Sequence, residues 1–266
     1  MRGTLLSIAA LIGVGFCPLS QAQVITVVNP SFEANFAPAG GFPVLVPTGW
    51  NLYDPGVPGD PAGIVNQNNN AVGVLNPAGT TFFIDPVPHG NNVALVYLEQ
   101  RAGTILPGKP VGLSQTLAST LQLNTRYDLS VAVGNIASGS GLGAFAGFGF
   151  ADLSGFPGYR IELLAGGQVV ALDNSSLGAS IGEGRFATSQ VQLTVGSSHA
   201  LAGQALGIRL INTNATGNLV ERAREVDFDA VSLIATAVPE PATYAMFAAG
   251  LGLLFGSRAR RRAAAS

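Results

Sequence analysis

The sequence predicts an all-β chain: a single antiparallel β-sandwich of the jelly-roll kind, with an export signal before it and one membrane-spanning helix after it. Three observations lead there. Thirty-five glycines and sixteen prolines make up roughly a fifth of the 266 residues, above ordinary usage, and that mixture serves short strands and tight turns better than long helices. Apolar and polar residues alternate with a period of two in several runs, as in strands with one packed face and one wet face. No helical stripe longer than about two turns occurs between residues 24 and 236.

In chain order, residues 1–22 read as a cleavable signal peptide: Arg2, the apolar run "LLSIAALIGVGFC", then "SQA" with small residues at Ser20 and Ala22 before Gln23. The lone cysteine, Cys17, follows bulky Phe16, where lipidation wants a small residue. Removal of the signal therefore leaves a mature chain with no disulfide, whose stability rests on its core and on any bound metal. Residues 23–236 form the sandwich. There "RYDLSVAVGN" puts Tyr127, Leu129, Val131 and Val133 on one face and Arg126, Asp128 and Ser130 on the other. "RFATSQVQLTV" and "LGIRLINT" behave similarly, and "YRIELLAGGQVVALD" reads as a hairpin turning at Gly166-Gly167. Long loops are expected over 35–72 and 136–157, both rich in Gly, Pro or Asn. Near the second, "GFGFADLSGFPGY" carries Phe148, Phe150, Phe156 and Tyr159 among glycines, as a mobile lid or an irregular strand pair.

The end of the chain has a different character. "PATYAMFAAGLGLLFG" offers an apolar helix at about 241–257, close to the ~17–25 residues that span a bilayer core. The arginines of 258–262 would stay on the cytoplasmic side. Before the helix, Pro239 and Pro241 fix an extended, accessible peptide around Glu240. Between residues 23 and 240 stand 8 basic and 15 acidic residues, a formal charge of −7. No basic stripe exists to neutralise phosphates, which excludes nucleic acid as a partner.

The C-terminal elements, Val238-Pro239-Glu240-Pro241, a short apolar helix and Arg258, Arg260, Arg261 and Arg262, closely resemble the PEP-CTERM sorting segment of Gram-negative exported proteins. This segment, 237–262, is also catalogued as the C-terminal domain of ice-binding proteins, but no regular Thr-x-Thr array that would build an ice face is present. The resemblance implies handling by an exosortase-type membrane protease and transient or permanent anchoring in the inner membrane. Release to the cell envelope or extracellular matrix would follow.

A second resemblance covers most of residues 25–235. The opening "NPSFEANF", the "PTGW" that follows, "PHGNNVALVYL", "GLSQTLASTLQLNTRYDLSVAVGN" and the closing "EVDFDAVSLIA" are similar to galactose-binding-like and carbohydrate-binding-module jelly rolls. Their arrangement most resembles the Stig cyclases, calcium-dependent β-sandwich enzymes that cyclise indole alkaloids. The resemblance implies Glu33 from the first strand and Asp229 from the last as calcium ligands, with backbone carbonyls nearby. It also implies Asp227 as an acid on the concave face and Tyr97 as a wall residue.

The closing strand is odd in itself. Val231 and Leu233 share parity with Asp227 and Asp229, whereas Val226 and Phe228 take the opposite parity. Either a bulge near Ala230 exchanges the faces or Asp229 points with core residues. A buried carboxylate is costly without a cation. That cation would be Arg222, Arg224 or calcium, which collects six to eight oxygens; ordinary edge hydrogen bonds are the other explanation. A catalytic acid at Asp227 needs apolar walls to raise its pKa, and Arg224 and Glu225 could equally leave it solvated.

Other chemistries find no support. His89 and His199, the only histidines, lie in turn or loop sequences, "GSSHA" is not a nucleophile elbow, and no zinc cluster is possible. Among the rings, Trp50 reads as core, while Tyr53, Phe83 and Tyr97 are candidates for stacking on a sugar. The expected function is that of an exported surface or matrix protein that binds polysaccharide or matrix partners without catalysis. The alternative is a calcium-dependent, cyclase-like enzyme.

Overall fold

The computed structural model describes residues 21–55, 71–98, 110–213, 225–239 and 249. Thirteen strands are found there: β1 (Ala22–Ile25), β2 (Asn51–Tyr53), β3 (Ala71–Leu75), β4 (Val93–Tyr97), β5 (Val111–Thr120), β6 (Thr125–Asn135), β7 (Gly139–Ser140), β8 (Phe150–Ala151), β9 (Tyr159–Ala165), β10 (Gln168–Asp173), β11 (Arg185–Val195), β12 (Ala205–Asn212) and β13 (Glu225–Ala237). One sheet runs β11-β6-β13-β4-β3, with β1 also paired to β13; the other runs β10-β9-β12-β5-β2. The ladders are antiparallel, as the alternating runs predict.

Between the two sheets lies the main core. Tyr127, Leu129, Val131 and Val133 of β6 and Val226 and Phe228 of β13 meet Ile161 and Leu163 of β9 and Ile208 and Leu210 of β12. The predicted inner face of β6 is thus the observed one. On its other face Arg126 and Asp128 form an ion pair at 2.7 Å. The β9–β10 hairpin turns where predicted. Gly166 and Gly167 have φ of 56° and 79°, the two left-handed positions that a two-residue type I′ turn requires. Trp50 is core, as expected: its indole N–H donates to the Asn29 carbonyl at 3.1 Å, and its ring lies 5.5 Å from that of Phe32.

The two sheets are also tied by a polar network. Asp173, at the end of β10, accepts from the Tyr159 hydroxyl of β9 at 2.6 Å and the Ser189 hydroxyl of β11 at 2.5 Å. Burial pushes its carboxyl up, but these hydroxyls and the Ser176 amide outweigh burial and hold it below the usual carboxylate value.

Two loop expectations need correction. Residues 35–72 contain all of β2 and the start of β3, and 136–157 contain β7, β8 and a 3-10 turn at Gly143–Phe148. Strands of two to five residues are too short for their periodicity to emerge from a Gly- and Pro-rich background. Phe150 belongs to the irregular strand pair β7–β8, and Tyr159 opens β9, fully buried.

A second apolar cluster covers the outer face of the first sheet. Leu75, Val93, Leu95 and Ile136 from strand positions and their flanks pack against Phe82 and Leu153 from loops. Both clusters lie within Ala22–Thr236, a compact unit with its own core, which is what independent folding requires. Among the described residues no helix is long and apolar enough to cross a membrane. The helix expected at 241–257, Ala249 apart, lies outside them, as do Glu240, Pro241, Arg258, Arg260, Arg261 and Arg262.

Candidate functional site

Strand parity builds the site. Val226 and Phe228 point into the sandwich, so Glu225, Asp227 and Asp229 take the outer face of the first sheet. At Ala230 the backbone turns left-handed, with φ of 49°, and parity shifts so that Val231 and Leu233 again point inward. The oddity in the sequence is therefore a bulge. Its effect is to place three carboxyl groups in a row on a face that loops then cover.

Glu225 lies opposite Tyr97 and Asp227 opposite Leu95, which in turn faces Gly73. Leu95 and Tyr97 belong to the second apolar cluster together with Phe83 and Phe186. Asp227 is fully buried and Glu225 retains 6% exposure; Asp227 is not the solvated surface group that its neighbours could have made it. Burial pushes Asp227 well above the usual carboxylate range, and the adjacent Glu225 charge and hydrogen bond push it further. Burial likewise pushes Glu225 up to about 8, against the opposing effect of its hydrogen bond with Asp227. Among the described residues neither Asp227 oxygen meets a donor. The group within reach is the Glu225 carboxyl, which donates only when protonated, so burial favours a shared proton on the pair.

The candidate rings divide between the sheets. Tyr97 and Phe83 share the acid-bearing face. Tyr53 sits at the edge strand of the other sheet, with the Arg209 guanidinium 4.7 Å from its ring centre. Phe186 and Glu225 are additional members of the site. Glu225 could have been found from parity alone, because it stands two residues before Asp227. Phe186 could not, because a long-range pairing brings β11 to this face.

Glu33 and Asp229 also come together. The turn at 89–92 grips both: the Asn91 and Asn92 amides donate to Glu33 Oε1 at 2.8 and 2.7 Å, and the His89 amide donates to Asp229 Oδ2 at 2.7 Å. Gly90 is required there, since a Cβ would lie 2.5 Å from the Glu33 carboxyl. Burial raises Asp229 to about 7, two backbone amides oppose it, and the Glu33 charge adds to the rise. Arg222 and Arg224, the candidate basic partners, lie outside the described residues. Left-handed Phe32 (φ 61°) and Ala230 (φ 49°) flank the two carboxylates, and such strain gathers where a ligand is held. Two adjacent carboxylates without an ion pair among the described residues fit a hard cation. Among the described residues no third His, Cys, Asp or Glu joins them there, so backbone carbonyls and water would complete the shell. His89 takes part through its backbone amide, and the His199 ring accepts from the Leu201 amide in its own turn.

Comparison with known proteins identifies the family of the β-sandwich and the character of the C-terminal segment. Residues 23–234 match the HpiC1-like (HpiC1 cyclase) family, and residues 237–262 match the PEP-CTERM protein-sorting motif. A Stig cyclase, Fisc from Fischerella sp. TAU, solved with (3Z)-3-(1-methyl-2-pyrrolidinylidene)-3H-indole, is 35% identical. The match covers 82% of this chain and 100% of that one, with a TM-score of 0.65. A cyclase from the same source in complex with 4-(1H-indol-3-yl)butan-2-one gives 35% identity, the same coverage and a TM-score of 0.62. No curated protein matches the chain significantly. The sorting motif marks an exported protein and implies processing by exosortase, a membrane protease. From residue 23 to residue 234 the chain belongs to the HpiC1-like cyclase family.

Proposed function

We propose that the outer face of the first sheet is a ligand site at which the Glu225–Asp227 pair donates a proton to an electron-rich carbon of a small apolar substrate. One observation carries this reading: a fully buried carboxyl, neither oxygen meeting a donor among the described residues, stands beside a second buried carboxyl on an otherwise apolar face. Such a pair keeps a proton near neutral pH, which is what a general acid requires. Once that proton is given up, the carboxylate accepts one back from the product. Half-buried Tyr97, opposite Glu225, lines the approach. The indole rings bound by the Fischerella proteins support the substrate class, because indole carbon 3 accepts protons.

Calcium would be held by Glu33 and Asp229, where it would neutralise their charge and clip the first turn to the last strand, serving stability rather than proton transfer. In deuterium oxide the folded unit should accelerate deuterium uptake at indole carbon 3, read by NMR. Asp227→Asn should reduce that acceleration by about 10²- to 10⁴-fold. A wild-type rate equal to that of buffer overturns the reading.

Non-enzymatic binding of polysaccharide or matrix is a second reading, and exposed rings favour it. Phe148 and Phe150 are 75% and 72% exposed on the β7–β8 excursion, and Phe42, Phe145 and Phe148 cluster there with centroids 4.8 to 6.3 Å apart. Planar rings in the open suit stacking on sugars.

A further inference from the structure

We propose that Arg160 and Arg209, joined through Glu162, form a site for the carboxylate of an acidic sugar on the outer face of the second sheet. This face is not the proton-donating one, which belongs to the other sheet; the proposal rests on the matrix reading and gives it a ligand class. Parity places the residues together. Ile161 of β9, Leu210 of β12, Leu113 of β5 and Trp50 before β2 point into the core, so Arg160, Glu162, Arg209, Ser114, Asn51 and Tyr53 point outward. Register aligns them in two neighbouring rows. In one, Glu162 stands opposite Arg209, Arg209 opposite Ser114 and Ser114 opposite Asn51. In the next, Arg160 stands opposite Ile211, Ile211 opposite Gly112 and Gly112 opposite Tyr53. Gly112 has no side chain to block the Tyr53 ring from leaning across β5, and the Arg209 guanidinium lies 4.7 Å from the centre of that ring.

The charges do not balance here. Glu162 retains 3% exposure and accepts from both arginines, from Arg160 Nε at 2.7 Å and from Arg209 Nη1 at 3.0 Å. One arginine suffices to compensate one buried carboxylate. Elsewhere among the described residues the ion pairs are one to one, Arg126 with Asp128 and Arg185 with Asp85. Two guanidinium groups against one carboxylate leave a positive charge unmatched, in a chain whose residues 23–240 sum to −7. The geometry also leaves donors for a ligand. Arg160 engages Glu162 through Nε, and its two Nη groups meet no acceptor among the described residues, while its side chain is 28% exposed. That pair of donors matches the two oxygens of a carboxylate. Glu162 already holds both arginines in place, so less side-chain freedom is lost on binding. Asn51, exposed, and Ser114, half-buried, offer amide and hydroxyl groups on the same face. A carboxylate and hydroxyls carried on one ring describe a uronic acid, and the sorting motif marks a protein exported to where such polymers lie.

The test is calorimetric titration of the full chain, in non-ionic detergent, with trigalacturonic acid and with neutral galactotriose. The wild type should bind the acid about tenfold more tightly. Arg160→Gln should remove that preference, and Arg160→Lys, which keeps the charge and loses the paired donors, should recover part of it. Arg209 stays on Glu162 in both variants, and a thermal melt confirms that each folds. Arg126→Gln takes an exposed arginine from the other sheet and should change nothing; Arg258, Arg260, Arg261 and Arg262 are common to every variant and drop out of the comparison. Equal binding of the two probes by the wild type overturns the site. So does an unchanged preference in folded Arg160→Gln, or an equal loss in Arg126→Gln. Phe148→Ser combined with Phe150→Ser should leave the preference for the acid intact. If that double variant loses it instead, the arginine site fails while the matrix reading stands.

Discussion

At pH 8 in a chelator, the folded unit should melt several degrees lower than at pH 5, and calcium should restore the difference. The cause is Asp229, raised from 3.8 to about 7 by burial and then by the charge of Glu33. Between those values the folded state holds a proton that the unfolded state has released. Stability is therefore greatest below pH 4 and declines as pH rises through 7. Each unit of separation is worth about 1.4 kcal/mol, so the two units between pH 5 and the folded value correspond to about 3 kcal/mol, which screening of the exposed Glu33 charge lowers to about 2 kcal/mol. For a domain of this size that is a loss of about 4–8 °C. Calcium at about one hundred times its Kd would return about 2.7 kcal/mol. Glu225, raised to about 8, adds a slope of the same sign; it is not part of the clip, so the calcium-dependent portion isolates Glu33 and Asp229. Circular-dichroism melts at pH 5 and 8, in EGTA and in millimolar calcium, give the four values required. Asp229→Asn should remove its share of the pH dependence, and Glu33→Gln, which leaves the burial of Asp229 in place, should remove the calcium response while sparing most of the pH dependence. Identical melting temperatures with calcium and with chelator at pH 8 would refute the cation clip.

Two other outcomes are expected. Asp173→Asn weakens the acceptor shared by Tyr159 and Ser189 and should cost about 3 kcal/mol, or about 6–12 °C in a melt. Because the folded pKa of Asp173 lies below its usual value, its contribution is complete above pH 4 and fades as pH falls below that, so the variant should lose less stability on acidification than the wild type. If surface rings bind matrix, Phe148→Ser combined with Phe150→Ser should abolish retention on immobilised polysaccharide while leaving the melting temperature unchanged; retention by the double variant would remove that reading.

Much of the sandwich was legible because its long strands carry a signal at every second residue. The eleven residues of β6 and the Gly-Gly turn between β9 and β10 were read correctly for that reason. The short strands β2, β7 and β8 were not, since two or three residues cannot establish a period. Pairing and parity together explain the site. Glu33 and Asp229 were named from a resemblance, and the turn at 89–92 brings both under one set of amides.

The residues that sequence reading missed show how the face became a site. Glu225 stands where "EVDFD" alternates acid and apolar residues, a pattern that normally describes a strand with one wet side. Local sequence cannot reveal that the wet side is roofed, because Phe82, Phe83 and Leu153 reach it from loops far along the chain. Roofing turns ordinary surface acids into a proton-holding pair, since removal of water disfavours the second negative charge far more than the first. The same step draws the Phe186 ring of β11 into the second apolar cluster. It follows that the chemistry of this face is set by the loops that exclude water from it. A loop change that readmitted water would restore ordinary carboxylates at 225 and 227 and end proton donation, even with every strand residue left in place.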